Sequence, residues 1–376
     1  VTVAHAYTPG LRVAEFTVAR RERRLPLKGE VVVTVGAAVA PDTVVARTEL
    51  PGNVQTVNLA AKLAMDPARV PSALTVPIGT QVKAGSLMAS GKSLFGLVSQ
   101  KVIAPVDGTI ESVSHVTGQM ILREHPIPVE INAYVRGRVA EVLPAEGVVV
   151  ETRGALIQGI FGVGGETFGA LSVVVGDPDH ELTADRIRPE HAGRIVVGGS
   201  YVSHATLTRA REAGVAGVVV GGFDDRDLRE LLGRDLGVAI TGHEELGLTL
   251  VLTEGFGRIR MAERTWRLLN ANVDRVASVS GATQIRAGVM RPEILIPHED
   301  ETASRAEASV GTGLEVGSLL RVIRQPYFGR IARVVELPPD LQELDTGARV
   351  RIMRVEFADD REQAVVPRAN VELIEL

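Results

Sequence analysis

The sequence contains no cysteine. That excludes disulfides, thiolate zinc sites, cysteine nucleophiles and cysteine-ligated iron–sulfur clusters in one step. Lysine is scarce, confined to Lys28, Lys62, Lys83, Lys92 and Lys101, while arginine is abundant; this reads as a genomic or thermal bias rather than a site. No apolar run approaches the ~20 residues that a membrane-crossing helix needs. Val1 to Gly10 lack the basic-then-apolar pattern of a secretory signal, so the cytoplasm is the expected location. The formal net charge of −5 argues against a protein whose main task is coating nucleic acid, and DNA is not an expected partner.

The chain is 376 residues long with a hydrophobic fraction of 45%, which suggests two to four domains, each able to bury a core. The expected fold class is multidomain, mixing all-β and α/β parts. An N-terminal arm covers 1–29. It carries the run Arg20-Arg21-Glu22-Arg23-Arg24, read as a solvated charged face. A β domain follows over 30–176, rich in Val, Ile, Gly and Pro and in short apolar runs bounded by turn residues. It holds two internal repeats. Gly36-Ala-Ala-Val39 followed by Val45-Ala46 has the spacing of Gly79-Thr-Gln-Val82 followed by Met88-Ala89. Asp107-Gly108-Thr-Ile-Glu-Ser-Val113 echoes Arg136-Gly137-Arg-Val-Ala-Glu-Val142. A quasi-twofold pile of short hairpins fits this, with one inserted helix from Leu59 to Met65.

After a polar connection at Asp177-Pro178-Asp179-His180, the pattern changes to strand–glycine–helix units over 177–296. Buried strands are expected at Arg194–Val197, Val215–Val220 and Leu248–Leu252, with helices at Ser203–Ala213 and Arg264–Leu269. Continuous apolar strands alternating with helices imply a doubly wound parallel sheet covered on both faces. A polar linker is expected over 297–313. Over 314–376 four short strands return, enough for one small β-barrel.

Two segments resemble known families. Gly79-Thr-Gln-Val-Lys-Ala-Gly-Ser-Leu-Met-Ala with Ala104-Pro105-Val106-Asp107-Gly108-Thr109-Ile110 is similar to the biotinyl/lipoyl family and its barrel-sandwich hybrid relatives. In carriers of that family a modifiable lysine sits at a hairpin tip; here the equivalent position is Leu97, with Lys92 and Lys101 nearby but displaced. The resemblance therefore implies an unmodified fold, as in the N-terminal parts of redox-pump subunits of the RnfC and NqrA type. The segment Gly317-Ser-Leu-Leu-Arg-Val-Ile-Arg-Gln-Pro-Tyr-Phe-Gly-Arg-Ile-Ala-Arg-Val-Val resembles the KOW motif, with Ala332 where that motif usually has glycine. The resemblance implies a C-terminal KOW barrel that contacts RNA, ribosomal components or RNA polymerase.

The candidate sites follow from these parts. In doubly wound sheets ligands gather at the carboxyl edge of the strands, which here would be built from Gly198, Gly199, Ser200, Gly221, Gly222, Asp224, Thr253, Glu254, Gly255 and Gly257. Backbone amides at helix starts could hold a small anionic ligand there, with His204 and Asp225 adding polar lining. None of these turns matches a dinucleotide fingerprint or a P-loop, and tight packing alone also calls for glycine at such turns. On the barrel, Tyr327 and Phe328 could stack on a base or an apolar partner. Arg321, Arg324, Arg330 and Arg333 could contact phosphate. Over 314–376 acidic residues outnumber arginines eleven to nine, which favours a protein partner over RNA.

Other features read as structural. Gly159-x-x-Gly162-x-Gly164-Gly165-Glu166 has the outline of a phosphate loop but is better explained as a bent hairpin. His180 and His191 sit in the connector without helical spacing, and no metal is expected. His243-Glu244-Glu245 reads as a helix start. The polar run from Ser278 to Arg286 follows a strand and borders either a site or a loop. No Ser–His–Asp order can be assigned, and no catalytic residue or cofactor is expected. The functional expectation is a non-catalytic accessory or scaffold protein docking a larger complex. A subunit of a redox or nucleotide-using enzyme and an RNA-, ribosome- or polymerase-associated factor are the alternatives.

Overall fold

The computed structural model describes residues 11–92, 99–224, 227, 230, 246–283, 291–298, 316–324, 326–338, 341–343 and 349–373. The protein is mostly β, with one large mixed sheet and a curled half-barrel near the C-terminus. The large sheet runs, in hydrogen-bonding order, Phe161–Val163, Thr249–Phe256, Gly217–Phe223, Ile195–Val197, Glu166–Val173, Val276–Ser280, Glu293–Pro297, Gly147–Gln158, Gly137–Leu143 and Ala38–Val39. Phe161–Val163 and Gly147–Gln158 are distant in this order but separated in the chain only by Gly159 and Ile160. They are successive parts of one bent strand, so the sheet curls back on itself.

Four of these strands are parallel: the end of Glu166–Val173, then Ile195–Val197, Gly217–Phe223 and Thr249–Phe256. Alternate side chains feed two cores, as strand geometry requires. Val196, Val218, Val220, Leu250 and Leu252 pack with Leu207 and Ala210 of the helix His204–Glu212. Ile195, Val197, Val219 and Val251 pack with Trp266, Leu268 and Leu269 of the helix Glu263–Ala271. The expected strands and helices at these positions are present, and each face of the parallel part has a helix on it. Ser203 caps the first helix, its hydroxyl accepting from the Thr206 amide. The second core continues across the curl to Ala277, Val279, Ile294 and Ile296.

Two sequence expectations need correction here. The arm assigned to 1–29 contains a 12-residue strand, Val13–Arg24, paired antiparallel along Gly147–Gln158. Its Arg20–Arg24 run is not simply a solvated face. A strand turns successive side chains to opposite sides, so Arg21 and Arg23 point inward with buried Ala19 while Arg20 pairs with Glu151 at the surface. Nor does the sheet respect a break at residue 176, because Gly147–Gln158 and Glu166–Val173 pair with strands beyond it.

The internal repeat survives in three dimensions. The amide of Gly36 donates to the Val139 carbonyl and that of Gly79 to the Ile110 carbonyl, both at 2.7 Å. Both glycines have left-handed backbones, φ +83° and +90°, which explains why this residue recurs. The repeated Gly108 and Gly137 each sit against a neighbouring carbonyl, of Arg123 and Glu151, where a Cβ would collide. The Gly79 and Gly108 turns belong to small sheets that enclose a core around Leu59, Leu63, Met88, Ile110, Met120 and Leu122, whereas Gly36 and Gly137 lie with the large sheet beside a second core around Val39, Val139 and Val150. The inserted helix is Leu59–Leu63, ended by Ala64 in a left-handed cap.

The C-terminal half-barrel is a separate sheet with strands Leu319–Val322, Ile331–Glu336, Leu341–Glu343, Arg349–Phe357, Gln363–Pro367 and Val371–Leu373. Its core includes Leu320, Val322, Ala332, Val334, Met353 and Phe357. Ala332 is fully buried. Among the described residues no helix is long and apolar enough to cross a membrane.

Candidate functional site

The glycine turns do converge at the carboxyl edge of the parallel strands, but the neighbours they meet are this chain's own backbone. Gly199 lies against the carbonyls of Asp177, Pro178 and His180, Gly221 against that of Ile259, and Gly222 against that of Gly257. Gly198 lies against Leu182 and Val220. Ser200 donates its hydroxyl to the Asp179 carbonyl at 2.6 Å and its amide to the His180 carbonyl at 3.0 Å. Thr253 donates to the Val220 carbonyl. The expectation of an open, anion-binding edge therefore needs revision at these positions: the glycines permit close packing of the 177–181 and 257–261 segments. Gly221 and Gly222 also lie inside the strand Gly217–Phe223 rather than in a turn after it. Gly257, with φ +103° and open space around it, and Gly255, with φ +153°, have backbones that favour glycine.

Outside that plug lies a polar fringe. The Arg258 guanidinium covers the Tyr201 ring at 4.3 Å and pairs with Glu181. Asp227 accepts from the Tyr201 hydroxyl at 3.4 Å and from the His204 amide at 2.9 Å. Burial and then the nearby Asp227 and Asp224 carboxylates push the Tyr201 phenol above its ordinary range. Asp225 lies outside the described residues.

Glu254, Gly255 and the barrel residues form a site together. Glu254 is buried, and its two carboxylate oxygens serve two different elements. Oε1 accepts the Ala262 amide at 3.0 Å, at the start of the helix Glu263–Ala271. Oε2 accepts from Arg321 Nη2 of the C-terminal barrel at 2.8 Å. Arg321 is only 1% exposed, so the pair is desolvated. Beside it Phe256 forms an aromatic row, with Phe161 at 5.2 Å on one side and Phe328 of the barrel at 6.1 Å on the other. Gly255 makes room for the approach, since a Cβ there would stand 2.6 Å from the Gly329 carbonyl oxygen. Two sites that the sequence presented as separate thus meet face to face.

The remaining barrel residues divide. Tyr327 packs on Phe357 at 4.9 Å, and the Arg330 guanidinium lies 3.7 Å from the Phe357 ring centre. Arg330 also bonds Asp359 and Glu362 and pairs with Asp360. Arg321, Tyr327, Phe328 and Arg330 are therefore engaged within the chain rather than offered to a partner as the sequence suggested. Arg324 and Arg333 are exposed, Arg333 donating to the Gly317 carbonyl at 2.7 Å.

A second seam was not legible in the sequence. Arg21 grips the Glu293 carboxylate with Nε and Nη2, the former at 2.6 Å. Tyr134, buried and with φ +70°, donates to Glu293 at 3.4 Å. Arg23 holds Glu166 through two bonds of 2.8 and 2.7 Å, and its guanidinium lies 5.4 Å from the Tyr134 ring centre. Burial first, then the Glu293 and Glu166 carboxylates, push the Tyr134 phenol well above its ordinary range. A bulky residue in the left-handed region is rare and strained. In the sequence only the Arg20–Arg24 run pointed here, and it names no partner.

The lesser candidates are quickly placed. Gly159–Gly165 forms the bend and turn between three strands, with Gly164 and Gly165 at positive φ; these strands pair with other strands and not with one another, so the bent-hairpin reading needs correction. His191 is buried and accepts the Arg188 amide at 3.1 Å, while His180 is exposed. The His243–Glu245 run, Leu97 at the hairpin tip, most of the Ser278–Arg286 run beyond Thr283, and nearly all of the proposed linker lie outside the described residues. No family model matches this chain, and no curated protein is similar to it.

Proposed function

We propose that this chain is a non-catalytic accessory or scaffold protein that docks a larger protein complex. In this reading an unmodified barrel-sandwich hybrid, a central α/β part and a KOW-type barrel are carried as one body, acting in the cytoplasm. The observation that carries the reading is the buried Arg321–Glu254 pair, which spends its charge on fixing one module against another. The partly buried Arg21–Glu293 and Arg23–Glu166 pairs tie strands of the large sheet to one another, Val13–Arg24 to Glu293–Pro297 and to Glu166–Val173. Buried pairs of this kind add little net stability but hold partners in one geometry, which is what a scaffold needs. The proposal includes no ligand at Gly198, Gly221 or Gly255, because the carbonyls crowding these glycines belong to the chain itself.

The test is purification at native abundance from the source cells, with mass spectrometry of everything that co-elutes. A stoichiometric protein partner is expected. A lone monomer would overturn the proposal, and a bound flavin or nucleotide would replace it with the enzyme-subunit reading.

A further inference from the structure

We draw no further inference here: the strongest candidate, the partly buried side-chain cluster of Arg21, Arg23, Tyr134, Glu166 and Glu293 on the large sheet, with the unpartnered Ser278 hydroxyl on the strand beside Glu293, belongs to the seam already described, its arginines and carboxylates satisfying one another and Ser278 by itself pointing to no ligand.

Discussion

Arg321 and Glu254 stand 67 positions apart in the chain yet share a 2.8 Å contact that excludes solvent from both. The same carboxylate accepts from the amide of Ala262, the residue immediately before the helix Glu263–Ala271. Glu254 therefore joins three elements: the end of a parallel strand, the start of the helix after it, and a strand of the C-terminal barrel. Removing Glu254 takes from Arg321 its buried carboxylate, whereas replacing both removes the desolvation cost of the pair as well.

Glu254→Gln or Arg321→Met should each cost about 3–5 kcal/mol. The Glu254→Gln/Arg321→Met double variant should lie within about 1 kcal/mol of wild type. Urea denaturation followed by the fluorescence of Trp266, the single tryptophan, measures this on the helix that Glu254 caps. A loss in the double variant equal to the sum of the two single losses would show that the pair is not coupled.

Gly221→Ala and Gly222→Ala should destabilise the fold by roughly 1–3 kcal/mol, the usual penalty for overpacking, because a Cβ would land on the carbonyls of Ile259 and Gly257. Gly176→Ala is the control. It has open space and no left-handed backbone, so it should be neutral or stabilise by about 0.4–1 kcal/mol through the unfolded state. Thermal unfolding of the three variants distinguishes packing glycines from glycines kept for a ligand.

Tyr134 and Tyr201 both hold their protons more tightly in the folded chain. A folded pKa above the unfolded one means a contribution fully present below about pH 10, the ordinary value for tyrosine, and lost as pH rises beyond it. Stability should therefore fall above about pH 10, and absorbance titration should show two tyrosines ionising late. Tyr134→Phe should remove much of the alkaline loss at the cost of about 1 kcal/mol or less, given its long 3.4 Å bond. A titration in which every tyrosine ionises together near the ordinary value would contradict the buried Glu293–Tyr134 seam.

Arg330→Ala should weaken the barrel by about 1–2 kcal/mol. It removes the guanidinium from the Phe357 ring and leaves Asp359, Asp360 and Glu362 facing one another. Lysine should not restore the loss, since a point charge cannot stack and fork at once. Denaturation of the full chain followed by far-ultraviolet dichroism is the measurement, and full rescue by Arg330→Lys would refute the stacking role.

Much of the local structure could be read directly. The Val215–Val220 run marks a buried strand, formed at Gly217–Phe223, because only a two-sided sheet accepts an unbroken apolar run of that length. Gly36 and Gly79 recur because their backbones are left-handed. Ser203 begins a helix because its hydroxyl satisfies an amide that the helix cannot. Such rules act within a few residues, so composition and spacing contain them. The destinations of the charged groups do not follow from local rules. The run Arg20-Arg21-Glu22-Arg23-Arg24 has the same sequence whether its arginines meet water or a carboxylate. Only the fold brings Glu293 to Arg21 from 272 positions away. The glycines of the carboxyl edge were legible as glycines at strand ends; that they admit the chain's own carbonyls, rather than a ligand, was decided by where the 177–181, 257–261 and 329 backbones come to rest. The sequence by itself determined the elements, their repeats and the alternation that divides buried from exposed. The tertiary structure alone decided which charges are buried together, because desolvation and pairing depend on distances in space that no local spacing encodes.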